Sequence, residues 1–146
     1  MEILLVEDDP VDAEVVVRLA AASALDIDMT IARTGEEARA QLADRRDELE
    51  ASGRPPPDLV LLDLSLPAKA GTDVLRWLKA DRNLREIPVV IVSGTSDERR
   101  IQQGQELGAH SHLEKPITLR TLLWIVTSLH NYRSRLGRLP AARPEA

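Results

Sequence analysis

Four stretches of the chain set polar or charged residues directly after a candidate strand, three of them after an apolar run. Glu7-Asp8-Asp9 follows Ile3-Leu4-Leu5-Val6, and Asp63 follows Leu59-Val60-Leu61-Leu62. Ser93 follows Pro88-Val-Val-Ile-Val92, and Lys115 follows Ser111-His-Leu-Glu114. Carboxylates crowded together repel unless a cation neutralises them. With neither Cys nor His among these residues the donors are hard oxygens, which suit Mg²⁺ and a shared phosphate oxygen. An aspartate can attack phosphorus and carry an acyl phosphate. A lysine offers a point charge to a phosphoryl oxygen, and a serine hydroxyl can donate to another. The set therefore reads as a phosphoryl-transfer site with Asp63 as acceptor, Ser93 and Lys115 as its donors, and Mg²⁺ and Lys115 offsetting charge. Taken singly each residue has a plainer role: Asp63 as a turn aspartate, Ser93 as a turn residue, Lys115 as a surface lysine. Asp9, with Pro10 behind it, suits a helix N-cap better than a metal ligand.

Only a particular architecture brings positions 7 to 115 together. The apolar runs are short and rich in Val, Ile and Leu, as in strands buried on both faces. Between them lie helical patterns. Asp9-Pro10 opens the first, with Val11, Val15, Leu19 and Ala22 at helical spacing. Ile27, Met29 and Ile31 alternate as a half-exposed strand. Thr34-Gly-Glu-Glu37 is a capping box for a helix through about Leu49, ended by Ser52-Gly-Arg-Pro-Pro-Pro. Gly71 to about Ala80 is helical, Thr95-Ser-Asp-Glu98 is a second capping box for a helix through about Leu107, and Thr118 to about Leu136 is a long last helix. Five strands alternating with five helices imply an α/β fold, a parallel sheet covered on both faces. The carboxyl ends of its strands form one edge, where ligands bind.

At 146 residues the chain fits one domain with a full core. A formal charge of −5 argues against DNA as a partner, and three aromatic residues offer little for base stacking. The absence of cysteine excludes thiolate metal sites and fits a cytoplasmic location. No run is long enough for a membrane span, and the N-terminus lacks the basic start of a signal peptide. The Arg33, Arg39, Arg45, Arg46 series reads as a solvated helix face. In the last helix Leu119, Leu122, Leu123, Ile125, Val126, Leu129, Tyr132 and Leu136 cover roughly half the circumference at about 100° per residue. Packing on a sheet needs little more than about 100°. The surplus suggests a homodimer through Ile125, Leu129, Tyr132 and Leu136.

LLVEDDP (4–10), LVLLDLSLP (59–67), VVIVSGTS (89–96) and LEKP (113–116) together resemble the four signatures of response-regulator receiver domains, in order and spacing, over residues 2–130. The resemblance implies a flavodoxin-like (βα)5 sheet of strand order 2-1-3-4-5, with residues 131–146 as an extension of the last helix and a frayed tail. It implies that Glu7 and Asp8 hold Mg²⁺ with Asp63 and the main-chain carbonyl of Ser65. Asp63 would be the phosphoacceptor, Ser93 the switch hydroxyl and Lys115 the family's lysine, in a cis bond to Pro116. It also implies a two-component phosphorelay in which a histidine kinase supplies the phosphoryl group and a histidine phosphotransfer protein can receive it. The face of the fourth helix, fifth strand and fifth helix then switches. Such a protein is a phosphoacceptor rather than an enzyme, with self-phosphorylation from small donors and self-dephosphorylation in reach. The long second helix, the Pro-rich connection, the EDDP start and the C-terminal extension are similar to stand-alone regulators paired with phytochrome-type kinases (bacteriophytochromes). The pattern departs at Ser65, where Asn is common, in Pro67-Ala-Lys-Ala-Gly71, and at His112 and Ile117, where aromatic residues are usual. The alternative is a degenerate receiver that binds partners without phosphorylation.

Overall fold

The computed structural model describes residues 1–67, 70–94 and 98–135, with side chains as far as residue 130. Its elements in chain order are β1 (Glu2–Val6), α1 (Pro10–Ala22), β2 (Asp28–Ala32), α2 (Gly35–Ser52), β3 (Leu59–Asp63), α3 (Ala70–Ala80), β4 (Val89–Ser93), α4 (Glu98–Glu106), β5 (Ser111–Glu114) and α5 (Leu119–Arg135). All strand pairs are parallel and the order is β2-β1-β3-β4-β5, the flavodoxin-like arrangement.

The period of two along each strand divides the core. Ile3, Leu5, Leu59, Leu61, Val90, Val92 and Leu113 face one side, under α1 and α5. Leu4, Val6, Val60, Leu62 and Val89 face the other, under α2 and α3. Helix starts follow local chemistry. Asp9 caps α1 by accepting from the N–H groups of Val11 and Asp12, at 2.8 and 3.2 Å. Thr34 caps α2 through Glu37 N–H at 3.0 Å, and Gly53 ends that helix at φ 76°, which glycine reaches without strain. The capping box expected at Thr95–Asp97 lies outside the described residues, apart from Glu98, where α4 begins.

Three expectations change. The buried residues of α1 are Ala13, Val16 and Ala20, with Leu19 packed part-buried against the same core, whereas Val11 is 67% and Val15 42% exposed. The small alanines let α1 lie close to the sheet, and Val11 and Val15 turn outward. Arg45 is not solvated. It hydrogen-bonds Glu2 of β1 and the Pro55 carbonyl, tying α2 to the first strand and the Pro-rich connection. Arg46 likewise reaches Asp81 at 2.8 Å. Finally, Ile125 and Leu129 are fully buried in the core under α5. The helix needs that width because it fills the space between the sheet and α1, so these two residues cannot form a homodimer contact. Leu136 and the side chain of Tyr132 lie outside the described residues.

Candidate functional site

The two-residue alternation continues past the strand ends. Glu7 stands two after Leu5, Asp63 two after Leu61, and Lys115 two after Leu113, so all three follow residues that face α1 and α5. Backbone bonds hold them there: Glu7 N–H to Ala32 O at 2.9 Å, Leu64 N–H to Val92 O at 3.1 Å, and Lys115 N–H to Ser93 O at 2.7 Å. The Lys115–Pro116 peptide is cis.

Lys115 Nζ donates to Glu7 Oε1 and Asp63 Oδ2, both at 2.8 Å, and to Asp12 Oδ2 at 3.1 Å. The other oxygen of Asp63 accepts from Ser65 N–H at 2.8 Å and from the Ser65 hydroxyl at 2.7 Å. Asp63 is wholly buried and Glu7 is 4% exposed. Burial pushes the Glu7 carboxyl up to about 7, and its contact with Asp63 adds to this against the pull of Lys115. Burial acts on Asp63 in the same direction, but hydrogen bonds from Glu7, Lys115 and Ser65 outweigh it and hold the group below its ordinary value. For Lys115 burial favours the neutral amine, and Asp63, Glu7 and Asp12 reverse this and raise it. Two buried carboxyls thus share one ammonium, and their burial and mutual repulsion disfavour ionising both.

Oxygens of Glu7, Asp8 and Asp63 lie within 4.8 Å of one another. That spacing and the hard-oxygen donor set fit a divalent cation such as Mg²⁺. A cleft of about 340 Å³ opens beside them, lined by Glu7, Asp12, Val15, Asp63, Lys115 and Ile117 among others.

The sequence-predicted residues gather unequally. Glu7, Asp8, Asp63, Ser65 and Lys115 form one cluster. Ser93 is 5% exposed, follows Ile91 in the alternation rather than Val92, and its Oγ has no hydrogen-bond partner among the described residues. An unpartnered buried hydroxyl is costly and fits a donor kept for an incoming oxygen. Asp9 is a cap, as expected, and its N–H also donates to Glu7 Oε2 at 3.3 Å. His112 is half-buried on β5, with Nδ1 3.4 Å from Gln105 Nε2 of α4. Sequence reasoning passed over Asp12. Its signal was its place four residues after Asp8, one helical turn along the start of α1.

The response regulator receiver domain matches residues 3–127. The chain is 36% identical over 140 residues to the response regulator Rcp1 of Synechocystis sp., covering 96% of this chain and 93% of that protein. It superposes with a TM-score of 0.70 on the phosphorylated cyanobacterial phytochrome response regulator RcpA, at 34% identity over 95% of this chain and 97% of the other. With the Mn²⁺-bound form of Rcp1 the TM-score is 0.69, at 34% identity over 96% and 99%. Among the described residues no helix is long and apolar enough to cross a membrane.

Proposed function

The chain belongs to the response-regulator receiver family, and from that premise we propose that it accepts a phosphoryl group on Asp63 from the phosphohistidine of a phytochrome-type histidine kinase. One observation carries the reading. Asp63 is a wholly buried carboxylate bonded by Lys115 at 2.8 Å, with oxygens of Glu7 and Asp8 close enough to share a cation with it. Glu7, Asp8, Asp63 and the main-chain carbonyl of Ser65 would hold Mg²⁺, whose chemistry there is to offset charge on the phosphoryl oxygens.

The chain's own groups do the rest. Oδ1 accepts two hydrogen bonds and Oδ2 one, which leaves Oδ2 a lone pair for attack, more nucleophilic once Lys115 moves off it. That oxygen forms the new O–P bond as the P–N bond of phosphohistidine breaks, and the imidazole leaves with the bonding electrons. Lys115 and the unpartnered Ser93 hydroxyl then donate to phosphoryl oxygens, which pulls both side chains from their resting positions. Their displacement acts on α4, β5 and α5. This biases a two-state equilibrium only if the phosphoryl group bonds better in one state. Exposed Val15 at the cleft gives a partner helix an apolar foothold near Asp63. A histidine phosphotransfer protein would use the same approach.

The test is phosphate-affinity electrophoresis after incubation with acetyl phosphate, on wild type and Asp63→Asn, with and without Mg²⁺. A shifted band that requires both Mg²⁺ and Asp63 is expected. Absence of a shift, together with failure to bind beryllofluoride, would leave a protein-binding receiver without phosphorylation.

A further inference from the structure

The turn that carries Asp63 and Ser65 is held from two sides. Leu64 N–H donates to Val92 O of β4 at 3.1 Å. Leu64 O accepts from Arg100 Nη1 at 3.1 Å, from the first turns of α4. Leu64 is 5% exposed, so its carbonyl has little access to water and needs a partner. The preceding carbonyl, that of Asp63, is approached as closely as glycine permits: a Cβ at Gly71 would stand 3.1 Å from it. The turn between acceptor and Ser65 is thus boxed by β4, α3 and a guanidinium from α4.

α4 has few other anchors. Its sequence is ERRIQQGQE, its one buried residue is Gly104, and Gly104 lies directly over Ile91. A bond from Arg100 to the Leu64 carbonyl therefore joins the least embedded helix to the peptide immediately before the Ser65 carbonyl.

We propose that Arg100 is a positioning residue for the cation site: by fixing the Leu64 peptide it holds the Ser65 main-chain carbonyl where it can serve as a ligand, and so links cation binding to the placement of α4. The proposal rests on the receiver reading of Glu7, Asp8, Asp63 and Ser65. Linkage makes the effect reciprocal, since whatever holds the turn for the cation is also held by it. Arg100 is exposed, so the effect belongs at the low end of such couplings, about fivefold.

The experiment compares Arg100→Met with Arg99→Met. Arg99 is the exposed neighbour on α4 and makes no hydrogen bond among the described residues, so both variants lose the same charge and only Arg100→Met loses polar contacts, the bond to Leu64 O among them. Amide hydrogen exchange at Leu64 and Ser65 in cation-free protein reads the clip itself. Titration calorimetry with Mn²⁺ reads its consequence. We expect exchange about fivefold faster and Mn²⁺ affinity about fivefold weaker in Arg100→Met than in Arg99→Met. Equal exchange in the two variants would overturn the clip. Faster exchange with unchanged Mn²⁺ affinity would overturn the positioning role. If wild type binds no Mn²⁺ the site reading fails and the positioning role with it, while the exchange arm still reports on the bond.

Discussion

Glu7→Gln tests the electrostatics of the cluster in the absence of a cation. Glu7 is 4% exposed, and burial, reinforced by Asp63, raises its carboxyl from 4.5 to about 7. A folded-state value above the unfolded one means the folded chain holds the additional proton between those two pH values. The stabilising contribution is complete below 4.5 and is lost as pH rises through about 7. Asp63 acts with opposite sign and elsewhere: its value is lowered, so its contribution is present above 3.8 and is lost as pH falls further. The Glu7 shift corresponds to about 3 kcal/mol, at 1.36 kcal/mol per pH unit. Glutamine copies the protonated acid, because Oε1 can accept from Lys115 while Nε2 donates to Asp63. At about pH 8 the variant should therefore be more stable than wild type by about 1–3 kcal/mol, the lower figure allowing for relaxation of Lys115. For a chain of this size that is roughly 3–9 °C in melting temperature. Thermal unfolding followed by circular dichroism in a chelator measures it. The gap should close near pH 4.5, where wild type is protonated, and Mg²⁺ at high pH should raise the wild-type melting temperature more than the variant's. A variant that melts at or below wild type at high pH would refute the reasoning, as would a gap that persists in acid.

Lys115→Met leaves Glu7 and Asp63 facing each other without their ammonium. Cation-free stability should fall by about 3 kcal/mol in urea unfolding, with Mg²⁺ recovering part of the loss. Gly104→Ala places a Cβ 2.1 Å from Ile91 Cδ1, which should cost about 1–3 kcal/mol. Adding Ile91→Val removes the clashing methyl and should recover much of that cost in the same denaturant assay. Ile125→Asp buries a charge at a position with no exposure. It should cost about 4 kcal/mol or more and abolish the folded circular dichroism signal rather than yield a folded monomer.

Much of the site was legible because strands alternate. Val/Ile/Leu runs announce strands buried on both faces, and counting by two from Leu5, Leu61 and Leu113 places Glu7, Asp63 and Lys115 on one side of the sheet. Caps at Asp9 and Thr34 were equally local, since a side-chain oxygen two or three residues before an orphan N–H needs no tertiary information. Helix faces were less legible. PVDAEVVVRLAAA is apolar over so much of its circumference that Val11-Val15-Leu19 and Ala13-Val16-Ala20 both qualify as stripes. The sheet selects the one whose small residues permit close approach. The same ambiguity made the wide apolar face of α5 resemble a dimer surface, whereas Ile125 and Leu129 fill the core. Arg45 shows the converse: a polar helix position becomes part-buried because its guanidinium bonds Glu2 of β1 and the Pro55 carbonyl. The bond from Arg100 to Leu64 had no sequence signal, since it joins a helix side chain to a backbone carbonyl 36 residues away.

The raised Glu7 carboxyl and the Lys115 ammonium bear on one problem, the crowding of carboxylates at the strand ends. Without a cation, three carboxylates meet at the strand ends, and two of them are nearly inaccessible to water. The ammonium of Lys115, and the tendency of buried Glu7 to hold its proton, reduce that repulsion. Asp63 accepts from Ser65 at Oδ1 and from Lys115 at Oδ2, which lowers its nucleophilicity. A divalent cation held by these oxygens would supply positive charge of its own, so that an ionised Glu7 and a Lys115 moved off Asp63 would not leave an unbalanced cluster. On the proposed reading Mg²⁺ would act partly before the chemical step, by making release of Lys115 electrostatically tolerable. The same lysine would become, once released, a donor to the transferred group. Its displacement would draw on β5 and the start of α5, and the Ser93 hydroxyl, unpartnered among the described residues, would draw on β4 beneath the lightly anchored α4.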